Sequence, residues 1–181
     1  MHRITIHQMT LVSLFAALTI IGAFISIPIG LVPISLQNLF VFLSGMVLGS
    51  KLGALSQLIY VLLGAVGLPI FSGYKGGPGV LVGPTGGFLM GFVISAYIIG
   101  KLAEKLTNAK TKIWCYFAIG LLGIFIIYIT GVAQLLLITK VGLRKAILAG
   151  VLPFLPGDFL KLIIASFLAV RLKAVVYLPE V

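Results

Sequence analysis

The sequence predicts an all-α fold, an integral membrane bundle of six transmembrane helices. Three observations carry that expectation. Of the 181 residues, 61% are hydrophobic and only 9% charged, with a mean hydropathy of +1.27. Soluble domains carry about 25% charged residues, so this chain has too little polar surface to cover itself in water. Apolar runs of roughly 20 residues, the length needed to cross hydrocarbon, recur along it. Hydrocarbon offers the backbone no partners, so such runs are helices and not open strands. The net charge of +10 is spread between the apolar runs. That pattern fits basic loops held on the cytoplasmic side and not a nucleic-acid surface.

The first helix covers about 9–27. Arg3 ahead of it imitates a secretory leader, but the run exceeds a signal core and no small-x-small cleavage site with a soluble region follows. The segment "SIPIGLVP" ends it, with Pro28 and Pro33 bracketing a turn. The second helix runs over 35–49, and the third over 52–68 follows Lys51 almost at once and stops before Pro69. Residues 69–84, "PIFSGYKGGPGVLVGP", form a glycine-rich loop too broken for a straight helix. The fourth helix covers 85–103, and "KLAEKLTNAKTK" separates it from the fifth over 113–138. A basic turn, "TKVGLRK", leads to a short apolar piece broken by Pro153 and Pro156, and the sixth helix covers 157–170. The whole reads as one transmembrane domain, 1–181, with no soluble domain, low-complexity tail or internal repeat.

Six helices put both termini on one face of the membrane. Arg3, Lys51, Lys101, Lys105, Lys110, Lys112, Arg171 and Lys173 share that face, while Lys75, Lys140, Arg144 and Lys145 share the other. The imbalance predicts cytoplasmic termini. The cluster at 140–145 runs against the rule, as an exception to it or as the mark of a re-entrant segment. Gly45, Gly49 and Gly53, and likewise Gly87, Gly91 and Ser95, recur at spacings of four. Small residues so spaced let helix backbones approach closely, and here they predict packing within the bundle. Ser13 and Ala17 share that spacing on the first helix, where a partner protein is an equal candidate for the facing surface.

One of only three acidic residues, Asp158, stands in the apolar run "FLPGDFLKLIIAS", three residues before Lys161. Residues so spaced share a helix face, and a charge at the bilayer centre costs about 2.5–3.5 kcal/mol on insertion scales. The pair is either a structural ion pair or a ligand contact beside a polar cavity. A carboxylate accepts N–H bonds and an ammonium only donates, so such a site suits an amide- or urea-like group, or a zwitterion. Gln37 and Asn38, near the start of the second helix, fall on the same membrane face, with inter-helix glue as their plainer role. So does the glycine-rich loop, whose polar reach is Tyr74 and Lys75; it is either a lid over a pocket or an inert turn. Thr85 opens the fourth helix and is otherwise explained as its cap.

Enzymatic readings fare badly. An aspartyl protease needs a carboxylate pair, and a serine hydrolase wants a histidine base. His2 and His7 lie in the terminal segment. No His/Glu cluster suits zinc, and the single Cys115 excludes an internal disulfide or a thiolate cluster. "GGPGVLVGPTGG" lacks the Gly-Lys-Ser/Thr ending of a nucleotide loop. No cofactor is expected.

Three segments in order, "VPISLQNLFVFLSGMVLG", "GLPIFSGYKGGPGVLVGPTGGFLMGF" and "LPGDFLKL", resemble the BioY family. These are the biotin-capturing S components of energy-coupling-factor (ECF) transporters, and the resemblance covers nearly the whole chain. It implies a six-helix protein that binds biotin near the outer face, with Asp158 and Lys161 of the "GD-x-x-K" motif as ligand-binding residues. Gln37 matches the family's "P-x-x-L-Q" segment and Thr85 its "PTGG" turn. The resemblance also implies partners: a membrane coupling subunit and two ATPase subunits, with Ser13 and Ala17 on the docking surface. Two rival expectations stand beside it. A self-sufficient secondary transporter would usually show an inverted repeat, which is not evident here; a structural scaffold would use the Asp158–Lys161 pair only to lock helices.

Overall fold

A computed structural model describes residues 4–27, 32–106, 113–173 and 176. His2, Arg3, Pro28, Lys110 and Lys112, which entered the turn and charge arguments, lie outside the described residues. The elements in order are α1 (Ile6–Phe24), β1 (Ser26–Ile27), β2 (Ile34–Ser35), α2 (Gln37–Ala65), α3 (Pro78–Leu81), α4 (Gly86–Glu104), α5 (Ile113–Thr139), α6 (Leu143–Gly150) and α7 (Leu155–Lys173). Helix α1 starts ahead of its apolar run because of a capping box. The Thr5 hydroxyl accepts from the Gln8 amide, and the Gln8 side chain accepts from the Thr5 amide.

The second and third helices are the two arms of α2, which folds back on itself at Gly49. That residue has φ +81° and ψ −173°, a conformation that glycine adopts without steric penalty. Long-range contacts prove the reversal. The Gln57 amide donates to Ser44 Oγ at 3.1 Å, although 13 residues of straight helix would put them about 20 Å apart. A Cβ on Gly45 would lie 2.7 Å from the carbonyl oxygen of Ala96 in α4, so the small-residue spacing serves packing inside the bundle.

Among the described residues, α1, α2, α4 and α5 are each long and apolar enough to cross a membrane, and α6 with α7 is so when taken together, as a pair bent by 49° at the break between them. The two arms of α2 raise the bundle to six membrane segments. Pro156 sits in the first turn of α7, where its missing N–H costs nothing, so it opens the helix and does not break it. The basic cluster at 140–145 leads into α6, the shorter member of that bent pair. Between α1 and α2, the turn is a small antiparallel ribbon pairing Ser26 with Ser35 and Ile27 with Ile34. Large apolar side chains such as Leu14, Ile94, Phe125 and Phe167 face outward, as a bilayer-solvated surface requires.

Two ends of the bundle emerge. Ser50 donates through its backbone and hydroxyl to Glu104, and Lys173 donates to the Ala103 carbonyl, so the α2 bend and the ends of α4 and α7 meet at one end. The start of α2, the glycine-rich loop, the start of α4 and the start of α7 gather at the other, and there the bundle is hollow.

Candidate ligand pocket

Asp158 stands in the first turn of α7, where the helix dipole favours a carboxylate. It is 1% exposed and Lys161 is 6% exposed. The Lys161 ammonium donates to Asp158 Oδ1 at 2.8 Å. Oδ2 accepts from Asn38 Nδ2 at 2.8 Å and from the Tyr128 hydroxyl at 2.7 Å. Three helices thus converge on one carboxylate: α2 brings an amide, α5 a phenol and α7 the acid with its counter-charge. Charge-assisted bonds of this kind offset much of the penalty for burying an ion.

The pair is not sealed. Asp158 and Lys161 both line a cavity at this end of the bundle, walled by polar and apolar side chains. Its polar lining includes Ser35, Gln37, Asn38, Ser72, Lys75, Thr85 and Tyr128. Its apolar lining includes Phe71, Val80, Phe88, Phe92, Ile127 and Phe154. Such a site can hold an elongated molecule with an N–H-rich polar head and an apolar body. Asp158 keeps acceptor capacity beyond its three bonds, and Lys161 keeps two protons beyond the one it gives Asp158.

Gln37 is in the wall, with its amide already engaged. Its oxygen accepts from Ser35 at 2.8 Å and Ser72 at 2.6 Å, and its nitrogen donates to Tyr60. It ties the ribbon to the glycine-rich loop. Thr85 is at the N-terminus of α4, but its hydroxyl makes no capping bond and it faces the cavity. Lys75 lines the cavity as well. Tyr74 does not belong with them. Its φ of 58° turns the side chain out of the Phe71–Lys75 turn, where it is 69% exposed and stacks on Phe24 of α1 at 5.1 Å. Ser13 and Ala17 sit on the exposed stripe of α1, away from the cavity.

The sequence reading missed Tyr128, Ser72, Phe154 and Tyr60, and placed Asn38 at the same membrane face as Asp158 without a bond between them. A tyrosine inside an apolar helix always raises the question of its hydroxyl's partner, but the partner, 30 residues away on another helix, is not written locally. Among the described residues no group of three His, Cys, Asp or Glu gathers as for a metal.

The model of the BioY family matches residues 1–177. The chain belongs to the BioY family. It is therefore a multi-pass membrane protein of a transporter family and not an enzyme. Among BioY relatives, the biotin transporter BioY of Thermotoga maritima is 50% identical over 92% of this chain and 95% of its own. The probable biotin transporter BioY of Pyrococcus horikoshii is 44% identical over 92% and 96%. In shape the chain is similar to a crystal structure of the S-component for biotin from an ECF-type ABC transporter. That match has a TM-score of 0.86 and 30% identity, and covers 92% of this chain and 90% of the other.

Proposed function

We propose that this BioY protein captures biotin in the cavity beside Asp158 and Lys161 and serves as the S component of an ECF-type transporter. The observation that carries the reading is a buried ion pair opening onto a largely apolar-walled cavity. A scaffold that merely locked helices has no use for that void. Biotin's ureido ring supplies two N–H donors and a carbonyl, and its bicyclic body and aliphatic chain suit the phenylalanine-rich walls. In this reading Asp158 accepts from the ureido group and Lys161 donates to an acceptor oxygen of the ligand. Asn38 and Tyr128 hold the carboxylate in place, while Gln37, Thr85 and Lys75 complete the polar rim.

The pocket end carries the glycine-rich loop, and the opposite end carries Lys51, Lys101, Lys105, Arg171 and Lys173. That distribution supports cytoplasmic termini and a pocket that opens to the outside. Energy then comes from a membrane coupling subunit with two ATPases, docked on the Ser13–Ala17 face of α1. The test is saturable [³H]biotin retention by purified protein. Asp158→Asn should weaken it roughly tenfold or more, as expected for loss of a hydrogen bond to a charged group. Unchanged affinity in that variant removes Asp158 from the site, and absence of saturable binding in the parent protein removes the capture function altogether.

A further inference from the structure

Val80 in α3 and Thr85 just ahead of α4 flank the stretch joining the two helices, and both form cavity wall. A one-turn helix such as α3 ends in carbonyls with no intrahelical partner, and a membrane interior supplies little water to satisfy them. For the Leu81 carbonyl the partner comes from across the bundle, and the Gly83 carbonyl, which already accepts from the Gly86 amide at 3.2 Å, gains a second donor from the same side chain. Gln134 of α5 donates through Nε2 to the Leu81 carbonyl at 2.6 Å and to the Gly83 carbonyl at 2.8 Å. Both protons of that amide are spent on the backbone of the wall, while Gln134 itself does not line the cavity.

The two glycines after Thr85 make this reach possible. A Cβ on Gly86 would fall 2.6 Å from Gln134 Nε2 and collide with the Leu81 carbonyl oxygen. On Gly87 it would fall 2.7 Å from Gln134 Cβ and collide with the Thr130 carbonyl oxygen. The "PTGG" run is thus the seat that lets α5 press its amide against the loop.

We propose that Gln134 is a positioning residue for ligand capture: it clamps the Leu81–Gly83 backbone and so fixes where Val80 and Thr85 stand in the pocket wall. The inference rests on the capture function proposed above. With the clamp gone, the wall opens more often and a bound ligand escapes sooner. The ion pair at Asp158 is untouched.

The experiment compares Gln134→Leu and Gln134→Glu with the parent protein, by [³H]biotin dissociation and by hydrogen–deuterium exchange over residues 79–87. Leucine keeps bulk and loses the donor. Glutamate keeps the shape of glutamine but points a carboxylate at two carbonyl oxygens. The clamp predicts release faster by about fivefold or more in both variants, the scale of one net hydrogen bond. Exchange should rise over 79–87 and stay unchanged in α7. A role in filling space predicts instead that glutamate behaves like the parent in both measurements, and that result overturns the proposal. So does a leucine variant whose release stays within about twofold and whose exchange is unaltered. Should the parent retain no biotin, the capture reading fails by itself, while exchange over 79–87 still decides whether the clamp exists.

Discussion

At the scale of single residues, the site is governed by what a buried carboxylate demands. Asp158 accepts from Lys161, Asn38 and Tyr128, and each donor lowers the penalty of keeping it ionised away from water. Tyr128→Phe removes one of them at almost no change in volume. Biotin affinity should fall by roughly tenfold, since bonds to charged groups contribute about 1.5–3 kcal/mol; ligand titration of the purified variant checks it. Removing the counter-charge is harsher. Lys161→Met leaves the acid without its cation, a change that typically costs about 3–5 kcal/mol in a buried pair. Its thermal midpoint in detergent should drop sharply. The double variant Asp158→Leu with Lys161→Leu should recover most of that stability and still bind no biotin. A double variant that bound biotin normally would return the pair to a purely structural role. The sequence disclosed this pair because spacing of three on a helix is a local rule. It did not disclose Tyr128 or Asn38, 30 and 120 residues away from Asp158, because no local rule reaches across helices.

At the scale of elements, two devices organise the bundle. Gly49 reverses α2 in left-handed space, and its α-proton side faces Glu104, whose Oε1 would lie 2.7 Å from an added Cβ. Gly49→Ala should therefore lower the thermal midpoint, the backbone penalty alone being about 1–3 kcal/mol in this glycine-favouring region. Biotin affinity should change little, because the bend lies at the end opposite the cavity; a large loss of affinity would show that the two ends are coupled. The second device is the loop between α2 and α4, held at Ser72 by Gln37 and at Leu81 and Gly83 by Gln134. Its glycines were legible as a break in the helical pattern. Their purpose was not, since close approach of backbones is visible only when both partners are in place.

At the scale of the whole molecule, polarity is arranged along the membrane normal. One end holds the cavity, the other the α2 bend, Glu104 and Lys173, and the exposed stripe of α1 joins them with Ser13 and Ala17 outward. If that stripe meets the coupling subunit, Ala17→Trp should leave [³H]biotin binding intact and abolish co-purification with the ATPase-bearing module. Unchanged complex yield would move the docking surface to another helix. Composition alone decided the solvent: a chain with 61% hydrophobic and 9% charged residues has to bury itself in lipid, and its runs have to be helices. Sequence also decided that Asp158 and Lys161 share a face. Only the tertiary structure decided that a void lies beside them, that Tyr74 leaves the site, and that Asn38, Tyr128 and Gln134 enter its support. The physical reason is that helices apolar on every side carry little periodic signal of which face turns inward. That choice is made by packing between helices, through glycine contacts and single polar bonds that span the bundle.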